Sequence, residues 1–119
     1  MQKNKTTIFK LWVPVVLYAG FIFYMSSLMM VGLPSLFPHA DKLIHLAEYA
    51  LFGWLLARAL KYSFDKLDNA KLYYLVIFIC LLYGVSDEFH QSFVATRLSS
   101  VWDVLADTLG GLLGVFLFL

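Results

Sequence analysis

A chain of 119 residues that is 61% hydrophobic, 18% aromatic and only 14% charged lies outside the usual makeup of a soluble domain of its size. One modest core cannot cover so many large apolar side chains, so the sequence calls for the cover of a bilayer. The net charge of +1, with nine scattered Lys and Arg, forms no basic stripe and excludes a nucleic-acid surface.

The first element expected in chain order is a helix over about 11–30. Leu11 to Met30 gives 20 residues without a charge, with Pro14 in the opening turn, where a missing amide proton costs little. That run exceeds the roughly 7–15 apolar residues of a signal-peptide core, so it reads as a retained membrane helix. Gly32-Leu33-Pro34 and Phe37-Pro38 mark a loop after it.

A second helix is expected over about 43–60, carrying His45, Glu48 and Arg58 and closing at Lys61; Arg58 and Lys61 are placed to snorkel toward headgroups. Tyr62 to Lys71 is a polar connection. The third helix, about 72–92, is apolar or small from Leu72 to Ser86, roughly 22 Å at 1.5 Å per residue, before Asp87-Glu88-Phe89-His90-Gln91. After a turn at Thr96 to Ser100, the fourth helix occupies about 101–119, with Asp103, Asp107 and Thr108 near its start. The single cysteine, Cys80, sits in an apolar run and excludes both a disulfide framework and a cysteine metal site.

The expected fold is therefore all-α, one domain of four transmembrane helices. Its orientation follows from Lys and Arg. Lys3, Lys5, Lys10, Arg58, Lys61, Lys66 and Lys71 fall on one side and only Lys42 and Arg97 on the other, which places both termini in the cytoplasm. Six of the eight acids, Asp41, Glu48, Asp87, Glu88, Asp103 and Asp107, then fall at the outer ends of helices two to four, as do His39, His45 and His90. The positive-inside rule says little about Asp, Glu or His, so this sorting asks for another reason.

Spacing supplies one. Asp41, His45 and Glu48, four and three residues apart, stack on one stripe of helix two, with Lys42 and Tyr49 on an adjacent stripe. Asp87, Glu88 and Gln91 repeat the pattern on helix three. On helix four, Asp103 and Asp107 continue into Gly110, Gly111 and Gly114, glycines that allow close helix approach within the chain or in a homo-oligomer. Asp107 lies roughly 9 Å along its helix from Val101 and, facing lipid, would cost about 2.5–3.5 kcal/mol. It should face inward to a cation, a proton or a polar pocket.

Asp41-Lys42-x-x-His45-x-x-Glu48-Tyr49, then Asp87-Glu88-Phe89-His90-Gln91, then Arg97, Asp103 and Asp107-Thr108-x-Gly110-Gly111 together resemble the VanZ-like family of bacterial membrane proteins. The resemblance spans about Asp41 to Gly114. It departs at Thr96, where many relatives carry Gly, and at Asp107, where Asn is common. What it implies is a multi-pass protein of the bacterial cytoplasmic membrane associated with low-level resistance to glycopeptides such as teicoplanin. A phosphotransbutyrylase label borne by some related sequences finds no glycine-rich phosphate loop here.

Two readings of the polar residues stand. In the first, an outward pocket binds or processes an envelope component, a lipid-linked precursor or a glycopeptide. His45 and Glu48 would be its acid–base pair, Lys42, Gln91 and Arg97 its substrate contacts, and Asp41, Asp87, Glu88, Asp103 and Asp107 the oxygen ligands of a divalent cation. In the second, the same groups are a hydrogen-bonded lock between helices, or a non-catalytic site that sequesters an antibiotic or a headgroup. The aromatic and sulfur side chains Trp12, Trp54, Trp102, Phe23, Met29 and Met30 are assigned to lipid, core or interface.

Overall fold

The computed structural model describes residues 5–27, 40–93 and 101–119. Within these, four helices follow one another and no strand occurs: α1 (Lys5–Ser27), α2 (Ala40–Ser63), α3 (Asn69–Gln91) and α4 (Val101–Phe118). All four are long and apolar enough to cross a membrane.

The bounds extend those expected at four points, one of them the start of α2 at Ala40 instead of about residue 43. α1 starts six residues before Leu11, because Lys5 and Lys10 sit where a long aliphatic stem can carry its ammonium to headgroups. Pro14 consequently falls inside the helix instead of in its first turn, and the carbonyl of Lys10 loses its intrahelical donor. α2 runs on to Ser63, where Lys61 Nζ turns back to the Leu67 carbonyl at 3.0 Å and Asn69 Oδ1 at 3.3 Å. α3 begins at Asn69 because Asp68, in extended backbone, accepts the amide of Lys71 at 2.8 Å and caps the helix. The expected loop at 32–38 and turn at 96–100 lie outside the described residues.

Contacts fix the directions. Trp12, early in α1, donates to Ser63 at the end of α2 at 2.9 Å, so those two helices are antiparallel. Ser27, ending α1, meets His90 near the end of α3, so α1 and α3 run the same way. His45 and Asp107, both early in their helices, meet as well, so α2 and α4 are parallel to each other. The result is an up-and-down bundle.

α2 and α4 form the most extensive pair, and small residues explain why. A methyl on Gly110 would come within 2.5 Å of the Leu46 carbonyl oxygen, and one on Gly53 within 2.5 Å of the Gly111 carbonyl oxygen. A methyl on Gly114 would run into the Ala50 carbonyl and lie 2.6 Å from the amide nitrogen of Trp54. The backbones touch, which only glycine allows. Gly111 faces α3 too, where Cys80 Sγ would be 2.6 Å from an added methyl.

Below the polar end, Leu11, Val15, Phe52, Leu56, Leu60, Leu72, Val76 and Val115 form the buried apolar core. Two tyrosines tie α1 to it: Tyr18 donates to the Glu48 carbonyl at 2.9 Å and Tyr83 to the Ala19 carbonyl at 2.5 Å. Large apolar side chains on the outer surface, among them Phe9, Leu17, Tyr74, Phe78 and Phe116, face outward as lipid-facing residues do.

Candidate functional site

The end of the bundle where α2 and α4 begin and α3 finishes holds the buried polar residues. α4 contributes Asp103 and Asp107 from its first two turns, on the face that continues into the glycine seam. α2 contributes Lys42, His45 and, one turn on, Tyr49. α3 arrives antiparallel and ends with Asp87, Glu88 and Gln91, all buried. Helical periodicity puts each set on one stripe, and close α2–α4 packing turns two of those stripes toward each other.

His45 is the centre of the arrangement. Its Nδ1 lies 2.8 Å from Asp107 Oδ1, a hydrogen bond between side chains on different helices. Its Nε2 is 3.9 Å from Asp103 Oδ2, too far for a hydrogen bond but close for an ion pair. Asp103 is held in turn by Lys42, whose Nζ sits 2.8 Å from Oδ1. Lys42 keeps 30% of its side chain exposed while Asp103 keeps 2%, so the lysine lies at the surface and the aspartate in the interior.

One ligand atom from each of His45, Asp87, Glu88 and Asp107 lies within 4.8 Å of all the others. Each of the four residues is buried. Three helices thus deliver an imidazole and three carboxyl groups to one spot, in a part of the bundle where an isolated charge is costly. Asp107, wholly enclosed, uses Oδ1 on His45, while its Oδ2 has no hydrogen bond among the described residues. The hydroxyl of Tyr49, on a fully buried side chain, has none either, and the carboxylates of Asp107 and Asp87 are its electrostatic neighbours.

The structure separates other residues that share those motifs. His90 turns to α1: its Nε2 is 2.7 Å from Ser27 Oγ and its ring stacks on Phe23 at a centroid distance of 4.2 Å. Glu48 is half-buried and is not among the four converging groups; its backbone carbonyl receives Tyr18. His45 therefore meets Asp107 of α4, whereas its expected carboxylate partner lay on its own helix. Gln91 is 1% exposed at the end of α3. Arg97, His39 and the side chain of Asp41 lie outside the described residues.

Two residues that shape the site were not singled out from the sequence. Gly84 faces Asp107, whose Oδ2 would be 2.9 Å from a methyl placed there, so the glycine makes room for the carboxylate. The signal was present in the small residues Cys80 and Gly84 that lead into Asp87 on one stripe of α3. Gly53 is the second, the α2 counterpart of Gly111.

Comparison with known protein families gives a match to the model described as VanZ/LLP1 over residues 1–119, the whole chain. The curated proteins and the solved structures give no match.

Proposed function

Since the chain belongs to the VanZ/LLP1 family and has four helices able to cross a membrane, we propose that it is a multi-pass protein of a bacterial cytoplasmic membrane whose buried polar cluster opens outward and takes up a cell-envelope component. In this reading both termini are cytoplasmic, and the mouth at Lys42 faces the outside. The ligand class is an anionic lipid-linked precursor or headgroup, and occupancy of the site contributes to resistance to glycopeptides such as teicoplanin.

One observation carries this. Four buried ionisable groups from three helices converge within 4.8 Å, although replacing such groups with apolar ones is often neutral or even stabilising. Ionisable groups at membrane depth are expensive and are kept for pathways and binding sites. Lys42, partly exposed above Asp103, is placed to receive a phosphate or carboxylate entering from the headgroup layer. Gln91 and Arg97 complete the proposed ligand contacts.

Acid–base processing of the ligand is the more demanding form of the same reading. His45 has Nδ1 fixed by Asp107, while Nε2 makes no hydrogen bond to Asp103 at 3.9 Å. An imidazole oriented through one nitrogen leaves the other to move a proton. Glu48, one turn further along α2, is the second group proposed for that step.

Two measurements test the reading. Single cysteines at Asp65 and at Ser92, both exposed and at opposite ends of the bundle, are offered to a membrane-impermeant thiol reagent on intact cells. Ser92→Cys is expected to react and Asp65→Cys to stay protected; the reverse result sinks the outward pocket. Purified protein incubated with envelope lipids is then expected to associate saturably, with His45→Ala and Asp107→Asn losing that association when equal amounts of folded protein are compared. A new lipid product that disappears in His45→Ala and Glu48→Gln identifies turnover, and association unchanged in all three variants overturns the site.

A further inference from the structure

We infer that His45, Asp87, Glu88 and Asp107 form a binding site for one divalent first-row transition-metal ion, of the Zn2+ or Mn2+ type. The inference rests on reading this cluster as a ligand site and names the ion that site holds.

Geometry comes first. Around an ion with bonds of about 2.1 Å, tetrahedral ligands stand about 3.4 Å apart, whereas in an octahedral shell adjacent ligands stand about 3 Å and opposite ones about 4.2 Å apart. The four ligand atoms here lie within 4.8 Å of one another, so side-chain torsions that draw the widest pair in by up to about 0.6 Å for opposite ligands or about 1.4 Å for tetrahedral ones bring them onto one ion. The ligands come from the ends of three separate helices, and no pair of them is adjacent on one helix except Asp87 and Glu88. That is how ligand sets are built in the cores of helix bundles, from facing helices and not from one contiguous motif.

A second observation is independent of the acidic cluster. The Tyr49 side chain is fully buried, and its hydroxyl has no hydrogen-bond partner among the described residues. Asp107 Oδ2, equally enclosed, also has none. A buried donor without an acceptor and a buried acceptor without a donor each call for a further partner, and the charge of Asp107 and Asp87 acts on that tyrosine. A metal ion on Asp107, carrying a water that hydrogen-bonds to the tyrosine, satisfies both. Tyr49 would then stand one step behind the ligands, the position from which outer groups orient a metal-bound water.

The donor set decides which cation. Three carboxyl groups alone would suit Mg2+ or Ca2+, which prefer oxygen. An imidazole in the set shifts the preference to ions that accept nitrogen and oxygen together, Zn2+ and Mn2+ among them. The hydrogen bond from His45 Nδ1 to Asp107 orients the ring toward the cluster before an ion arrives, and it persists where Nε2 is the coordinating nitrogen. A dication also offsets part of the charge of three buried carboxylates, which lowers the cost of keeping them ionised.

The test uses the ion alone. The full chain, purified in detergent and freed of metal with a chelator, is dialysed against Zn2+ or Mn2+ and its metal content measured. One ion per chain is expected, with a rise in the thermal midpoint, and a hundredfold excess of Mg2+ should not displace it. His45→Asn and Glu88→Gln should each weaken binding at least tenfold. Pulsed electron paramagnetic resonance of bound Mn2+ should show an imidazole nitrogen coupling that His45→Asn removes. The variants are first checked for wild-type helix content, and Glu88→Gln, on α3, reports on the ion separately from the α2–α4 packing.

Less than a tenth of an ion per chain, affinity within twofold of wild type in both variants, or a Mn2+ spectrum without nitrogen coupling overturns the inference. Protein that binds envelope lipid yet takes up no ion overturns it while leaving the pocket reading intact. Protein that binds the ion but no envelope lipid leaves the metal site standing and overturns the proposed ligand.

Discussion

The distance between α2 and α4 governs both the fold and the polar cluster, and Gly110→Ala measures that coupling. A methyl at residue 110 would sit 2.5 Å from the Leu46 carbonyl oxygen, 2.9 Å from Tyr49 Cβ and 3.1 Å from the Ala50 amide nitrogen. Ordinary contact begins at 3.4 Å, so the worst of these falls 0.9 Å short, and the obstructing atom is backbone that cannot swing aside. The helices must part by up to about that amount, one turn from Asp107. Added to the 2.8 Å between His45 Nδ1 and Asp107 Oδ1, the displacement carries that pair to as much as about 3.7 Å, beyond hydrogen-bonding range. Overpacking costs about 1–3 kcal/mol and loss of a charge-assisted bond about 1.5–3 kcal/mol more, together roughly 2.5–6 kcal/mol. Gly20→Ala is the control: a methyl there meets nothing within 4 Å and should gain roughly 0.5–1 kcal/mol of helix stability. Denaturation of both variants in detergent, followed by tryptophan fluorescence with Trp54 beside the seam, gives the difference directly. If Gly110→Ala came within about 0.5 kcal/mol of Gly20→Ala, glycine contact would not be what sets the helix separation.

Three further outcomes follow from the same contacts. His45→Asn and Asp107→Asn should each destabilise the protein by about 3–5 kcal/mol, and the double variant should fall short of the sum by at least about 1 kcal/mol; additive losses in unfolding experiments would show that the pair is not coupled. Gly84→Ala presses on the carboxylate of Asp107 instead of on backbone, so it should leave stability within about 1.5 kcal/mol and still weaken ligand or ion binding; unchanged binding would mean that Asp107 is not held at that position. Lys42→Gln keeps a donor near Asp103, so it should move stability by no more than about 1 kcal/mol. It should weaken association with anionic lipid vesicles about tenfold, and equal binding to anionic and neutral vesicles in the wild type would remove the lysine from the entry path.

Much of this arrangement could be read from the sequence, because helical period and membrane energetics act locally. Four apolar runs of near-spanning length define four helices. An aspartate two turns into an apolar helix, followed on the same stripe by three glycines, has to face its neighbours, and Asp103, Asp107, Gly110, Gly111 and Gly114 are all buried. Which carboxylate meets His45 was not readable. Glu48, three residues away on the same helix, is the partner that spacing favours, whereas Asp107 reaches His45 only through the rotation and axial offset of α4 on α2, which side-chain period does not encode. The same holds for His90. It shares a motif with Asp87 and Glu88, but successive helical residues point about 100° apart, so two residues beyond Glu88 it faces α1 and stacks on Phe23.

The glycine seam and the polar end also constrain one another. Sliding α4 by one residue along α2 rotates its contact face by about 100°, which would take Asp107 out of the bundle toward lipid at a cost of about 2.5–3.5 kcal/mol. It would also bring Leu109 or Leu112, which now face outward, toward a surface of α2 that accepts only glycine. The buried carboxylates therefore penalise the wrong registers and the glycines fix the separation in the right one. Buried polar groups used in this way specify a structure more than they stabilise it. A single arrangement of α2 and α4 is what a ligand set drawn from several helices requires, since an error of half an ångström in any of them spoils the site. The seam is thus the part of the sequence on which the proposed chemistry depends, although none of its residues takes part in that chemistry.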